Sequence, residues 1–188
     1  MVKFIWHNGE VPADEYVKQV YGVVFTRDGR IMLEADKMTR EYFEALSKSK
    51  GKDLLTNAKI TNKPVFCLIG GTVEEFDTNR EATLRREVLE EANITLGEKV
   101  CMVGYQEIFI DGRREPYVQI RMTAVIEEIG PKMPDPDSGI IHDRILVPPK
   151  RAIELLNWDG GEKLITEATK VAKEQLGVEL TNQDEEWV

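Results

Sequence analysis

Apolar positions along this chain fall into short runs whose period switches between two and three-to-four, so the pattern itself lays out strands and helices. Lys3 to Trp6 reads as a short first strand. The β-branched and aromatic run Tyr21-Gly22-Val23-Val24-Phe25-Thr26 is followed by Asp28-Gly29 and then Ile31-Met32-Leu33, which predicts a hairpin. Tyr42, Phe43 and Leu46 stand at helical spacing within Arg40 to Lys48, and Pro64 to Ile69 is a continuous apolar run that suits a buried strand leading into Gly70-Gly71. Thr78-Asn79-Arg80-Glu81 has the form of a capping box with Thr78 as N-cap, opening a helix from about Asn79 to Ala92. Its inward stripe is Leu84, Val88 and Ala92. Val100 to Ile110 and Tyr117 to Ile126 flank Asp111-Gly112 as a second hairpin. Gly130 to Gly139, with Pro131, Pro134 and Pro136, must be a loop. Ile145 to Val147 is a short strand, Pro148-Pro149 opens a helix through Leu156, and a last helix covers Glu162 to Leu176. The acidic tail from Thr181 to Val188 is expected to fray.

Two hairpins and an irregular alternation of strands and helices imply an α/β fold: a mixed sheet with helices on both faces, not a doubly wound parallel sheet. No linker or repeat divides residues 1–188, so one domain is expected. Residues 36–63 form a long insertion between the first hairpin and the Gly70-Gly71 strand. Loops of that length tend to be functional or disordered. Its Lys37, Arg40, Lys48, Lys50 and Lys52 suit a lid over the substrate site, and a mobile solvated insertion is the alternative.

Composition narrows the function. With 25 Lys and Arg against 34 Asp and Glu, the formal charge is −9, which argues against duplex nucleic acid as a partner. Cys67 and Cys101 lie in apolar runs and read as reduced core residues, which suggests a reducing compartment. Met1 to Gln19 carries no signal-peptide pattern, and no apolar run reaches the roughly 20 residues needed to span a bilayer. The expectation is a cytoplasmic protein without membrane contact.

The chemistry concentrates in Arg86-Glu87-Val88-Leu89-Glu90-Glu91-Ala92-Asn93-Ile94, downstream of Gly70-Gly71. Glu87, Glu90 and Glu91 stand at i, i+3 and i+4 on one helical face. Crowded carboxylates repel one another, and either solvent or a hard divalent cation relieves them. The pattern resembles the Nudix box: glycine, a variable stretch, then Arg-Glu-apolar-x-Glu-Glu-x-Gly-apolar. Asn93 replaces the family glycine at a helix end that favours the left-handed region. Gly71 to Arg86 is one residue longer than the family spacing, and Thr78 occupies the position of a family Glu; an extra residue near Phe76-Asp77 would explain both.

The resemblance to the Nudix hydrolase (MutT-like) superfamily implies an α/β/α sandwich and cleavage of a nucleoside diphosphate linked to another moiety, using Mg²⁺ or Mn²⁺. Glu87, Glu90 and Glu91 would be metal ligands, joined by the Gly71 carbonyl, unless Gly71 serves a tight turn. Arg86 would orient the carboxylates or simply pair with Glu90 at i+4. A further carboxylate would come from Asp143, Glu127 or Glu128, with Asp135, Asp137 and His142 as other choices. Arg113 and Arg114 flank the second hairpin turn, most simply as solvent-exposed residues, with a phosphate contact as the alternative. The resemblance also allows a homodimer, and a ligand-sensing domain that binds a nucleotide derivative without cleaving it.

Overall fold

The computed structural model describes residues 2–13, 15–112 and 115–188; Arg113 and Arg114 lie outside them. Strands β1 (Val2–Asn8), β2 (Val17–Phe25), β3 (Ile31–Lys37), β4 (Pro64–Cys67), β5 (Ile69–Thr72), β6 (Ile94–Ile110), β7 (Tyr117–Ile129), β8 (Arg144–Val147) and β9 (Glu186–Trp187) are joined with helices α1 (Arg40–Lys50), α2 (Arg80–Ala92), α3 (Pro149–Leu156) and α4 (Gly161–Leu176). Among the described residues the strands make one sheet in the order β1-β6-β7-β2-β3-β8-β9, with β4 pairing β3 and β5 pairing β2. β2 and β7 run parallel while their neighbours pair antiparallel, so the sheet is mixed.

Alternation along β2 and β3 splits the interior in two. Val23, Phe25, Ile31 and Leu33 pack with Ala152, Leu156, Leu164, Ile165, Ala168 and Ala172 of α3 and α4. Val20, Val24 and Met32 pack with Leu84, Val88 and Ala92 of α2. The result is the α/β/α sandwich. Gly22 lets α2 sit close, since a Cβ there would lie 2.9 Å from Leu84.

Several elements depart from the sequence pattern. Residues 64–72 form two strands instead of one: β4 pairs β3, the chain steps across at Leu68, and β5 pairs β2. β6 begins at Ile94, earlier than Val100, because register shifts between Thr95 and Val100 accommodate the polar Gly97-Glu98-Lys99 and mask the alternation. β3 runs on through Glu34 and Asp36 into the expected insertion, both acids being buried on the strand. The tail does not fray: Trp187 and Glu186 pair with Ile145 and Leu146, and the Val188 N–H donates to Arg144 O at 3.1 Å. Both cysteines are free thiols. Among the described residues no helix is long and apolar enough to cross a membrane.

Candidate active site

The helix carrying the three glutamates is fixed at both ends. Its N-cap is Asn79, whose side chain accepts from Ala82 N at 2.9 Å, so the expected cap at Thr78 is one residue too early. Glu81 pairs instead with Arg85 at 2.8 Å. The C-terminal Asn93 adopts the left-handed conformation (φ 45°) anticipated for it. Buried Arg144 donates to Ala92 O and, at 3.0 Å, to Gly130 O, tying this helix end to the start of the proline-rich loop.

With Leu84, Val88 and Ala92 against the sheet, Glu87 is buried and Glu90 and Glu91 are half-buried along one side of a cleft of about 270 Å³. Arg86 organises them. Its Nε and Nη2 donate to the two oxygens of Asp77 at 3.0 and 2.9 Å, and its Nη1 donates to Glu87 Oε1 (2.9 Å) and Glu90 Oε2 (3.0 Å). Nη2 also donates to Thr72 O at 2.9 Å, which ties helix to β5. The pairing with Glu90 at i+4 and the orienting fork are therefore the same interaction. Asp77, bonded by Arg86, is held down at about pKa 2, and Arg86 is raised in return. Asp77 supplies the carboxylate expected at position 78, which absorbs the longer spacing.

Gly71 is a strand residue opposite Val20, not part of a tight turn. A Cβ on it would lie 2.5 to 2.7 Å from the Glu87 carboxyl. Gly71→Ala is therefore expected to displace Glu87 and lower kcat by about 10- to 100-fold, with little change in Tm; kinetics beside a thermal melt checks this, and an unchanged kcat would refute it.

Opposite α2, β3 and the end of the proline-rich loop bring Glu34, Asp36 and His142 together. Their ligand-type atoms lie within 4.8 Å of one another. His142 Nδ1 is 2.5 Å from Asp36 Oδ2, and Asp36 Oδ1 accepts from Asp143 N at 3.1 Å. Burial alone would depress His142, but the hydrogen bond to Asp36 and the nearby Glu34 carboxylate outweigh it and raise its pKa. Burial, reinforced by mutual repulsion, pushes Glu91 far above the ordinary carboxylate range, and burial pushes Glu34 up as well. Glu91 Oε2 accepts from Gly70 N at 3.1 Å, while Glu34 Oε1 is buried without a hydrogen-bond partner.

Such a set of hard oxygens and one imidazole, two of its acids driven towards the protonated form by burial and crowding, fits Mg²⁺ or Mn²⁺. Glu34, Asp36 and His142 are the group whose ligand atoms lie close enough together to hold an ion, and Glu87, Glu90 and Glu91 line the same cleft as Glu34.

Of the other residues singled out in the sequence, Asp135, Asp137 and His142 line the cleft. Asp143, Glu127 and Glu128 do not. Asp143 is adjacent to His142 but turned away from the cleft and paired with Lys132 at 2.8 Å. β7 extends beyond Ile126, which carries Glu127 to an exposed pairing with Arg27 (3.3 Å) and Glu128 to the position opposite Thr95. From the insertion, α1 contributes Tyr42, Leu46, Ser49 and Lys50 to the cleft wall.

The NUDIX domain family model matches residues 45–168. The chain belongs to the NUDIX domain family. Nudix hydrolases generally use divalent metal ions, in keeping with the donor set described above. No curated protein matches the chain. Among solved structures, this Nudix chain is similar to the Bacillus subtilis pyrophosphohydrolase BsRppH over 94% of its own length and 93% of that chain, at 15% identity and a TM-score of 0.59. It is also similar to the NUDIX domain of Shewanella oneidensis NrtR, solved with ADP ribose, over 84% and 88% at 15% identity and a TM-score of 0.53. At these identities the likeness shows a shared fold alone. The Nudix box motif left Glu34, Asp36 and Asp77 unmarked. Two acids at i and i+2 directly after an apolar strand, Glu34 and Asp36, share one face of that strand, which is the signal that could have found the first pair.

Proposed function

We propose that this Nudix pyrophosphohydrolase cleaves the diphosphate linkage of a nucleoside diphosphate joined to another moiety, in a reaction dependent on Mg²⁺ or Mn²⁺. The observation that carries the reading is the fork of Arg86, which holds Glu87 and Glu90 on the same cleft wall as Glu91, facing Glu34. When bound, the divalent ion neutralises phosphate charge and lowers the pKa of water. Glu87, Glu90, Glu91 and the Gly71 carbonyl would hold it, with Glu34 facing them. Arg86 keeps the glutamates oriented, and a cleft carboxylate takes the proton from the attacking water. Lys50, on α1, meets the phosphates from the insertion side, so residues 36–63 act as part of the substrate wall.

The test is a screen of nucleoside triphosphates, sugar nucleotides, dinucleoside polyphosphates and coenzymes, read as phosphate released after coupling to a phosphatase. Turnover is expected with Mg²⁺ or Mn²⁺ and is expected to vanish in excess EDTA. Undiminished turnover in EDTA would overturn metal dependence. Tight binding of a nucleotide derivative with no cleavage under any divalent ion would replace the hydrolase with a ligand-sensing domain.

A further inference from the structure

A second cavity, of about 370 Å³, opens beside the carboxylate cleft and shares Tyr21 with it. Phe4, Phe66 and Trp158 are apolar walls, and Gln106, Gln119, Arg121 and the exposed Asp159 are its polar groups, Asp159 being an acceptor for a ring N–H beside an oxo group. Arg121 is 5% exposed. Its Nη1 donates to Ile120 O at 3.2 Å, and its Nη2 donates to Gln106 Oε1 and Gln119 Oε1, both at 2.9 Å. Its guanidinium stands 4.7 Å from the centre of the Tyr21 ring. Its Nε is buried with no hydrogen-bond partner. Burial lowers its pKa to about 10, so it remains charged at neutral pH.

A buried cation met only by neutral acceptors, with one donor unused, is costly unless something else completes it. The surroundings specify what that is. Both amide oxygens near Arg121 are already engaged, so the guanidinium of Arg121 and the Gln106 amide N–H groups are what this wall offers a ligand, and the other walls are flat aromatic surfaces. The cavity therefore offers donors and stacking faces together. Gln119 Nε2 donates to Gln19 Oε1 at 2.7 Å, and Gln19 Nε2 donates to Tyr21 Oη at 3.1 Å. Because Gln19 lines the carboxylate cleft, this chain of side chains spans the wall between the two cavities.

We propose that this cavity receives the base of the substrate and selects one bearing an exocyclic carbonyl, a 6-oxopurine or a 4-oxopyrimidine, over its amino counterpart, with Arg121 as the discriminating residue. The proposal rests on the hydrolase reading for its link to a diphosphate. An oxo group accepts from the guanidinium, whereas an amino group at the same ring position presents hydrogens to a cation. A site built to hydrogen-bond one group rejects the analogue lacking it strongly. Stacking alone does not discriminate, because every base has a π-face.

The test compares monophosphates that exchange an oxo group and its adjacent ring N–H for an amino group and a bare ring nitrogen: inosine against adenosine monophosphate, and uridine against cytidine monophosphate. Binding is measured in EDTA by quenching of tryptophan fluorescence, since Trp158 lies in the wall. The oxo member of at least one pair is expected to bind about tenfold tighter or more, in line with a hydrogen bond to a charged group, and which pair responds identifies purine or pyrimidine. Arg121→Met is expected to bring the two members of that pair within about twofold while retaining stacking. Equal or tighter binding of the amino member in both pairs, or no binding of any of the four, overturns the proposal. So does an unchanged preference in a folded R121M. Should R121M fail to fold, the wild-type pair comparison alone decides. Oxo-selective binding without any diphosphate cleavage would sink the hydrolase reading and leave the pocket standing; cleavage without oxo preference would do the reverse.

Discussion

Glu91→Gln is expected to lower kcat by about 10²- to 10⁴-fold and, in EDTA, to make the protein more stable than the wild type at alkaline pH. Loss of activity would follow from removing a cleft carboxylate that the proposed reaction uses to hold the ion. The gain in stability follows from the crowding of Glu91 against Glu34. A Gln amide keeps an oxygen for Gly70 N–H and turns an N–H towards Glu34, whose Oε1 has no hydrogen-bond partner. The pKa of Glu91 is raised in the folded state above its ordinary 4.5. Its contribution is therefore fully present below the unfolded value and is lost as pH rises through the folded one. Metal-free wild type should melt at progressively lower temperature from pH 5 to pH 9, and E91Q should flatten that slope. At pH 8 the variant should gain about 1–2 kcal/mol, or roughly 2–8 °C for a chain of this size. Mg²⁺ should restore the wild type and leave the variant nearly unmoved. Thermal melts across pH with and without EDTA measure all of this, and a lower Tm for E91Q in EDTA at every pH would show that the glutamate is structural instead.

Asp77→Ala should cost both stability and rate. Asp77 and Arg86 are both shielded, with side chains 3% and 17% exposed. Removing the carboxylate also strips the acceptor for Thr83 Oγ1 and Glu74 N, each at 2.9 Å. Breaking a buried pair from one side is expected to cost about 2–4 kcal/mol. The freed guanidinium no longer fixes Glu87 and Glu90, so kcat should fall about 100-fold. The folded pKa of Asp77 is depressed from 3.8 to about 2. Its contribution is thus held above the unfolded value and lost as pH falls towards 2. Urea melts at pH 7 and pH 3 should show the variant's deficit shrinking at the lower pH. A deficit of the same size at both would mean the loss arises from packing, not from charge.

Much of this architecture could be read from periodicity and turn chemistry. The stripe Leu84, Val88, Ala92 and the left-handed Asn93 mark α2 because local preference and packing agree there. The glutamates were visible because a helix turns i, i+3 and i+4 into neighbours. What stayed hidden depends on contacts between distant segments. Glu34 and Asp36 look like the beginning of a polar loop, since acids are rarely buried, and their partners lie far along the chain: His142 and Asp143 for Asp36, and Cys67 for Glu34. Asp77 sits one place from its expected position because the longer connection is taken up before the helix cap. Glu186 and Trp187 carry no recognisable strand pattern; their pairing comes from an open edge of β8.

The parallel pairing of β2 with β7 bears on the order in which the molecule can form. Val17 meets Val118, about a hundred residues along the chain, whereas β6 and β7 are joined by residues 111–116. Closing the longer loop costs about 2.5 kcal/mol more in chain entropy than closing the shorter one. The β6–β7 hairpin is thus the cheap early event, and the centre of the sheet waits for a rare encounter between its two halves. The carboxylate cleft inherits that delay, because the strand bearing Gly71 is anchored on β2 and the helix bearing the glutamates packs against the completed sheet. Any capacity to load a divalent ion is consequently expected to arise late in folding, with topology disfavouring metal binding by a half-formed chain.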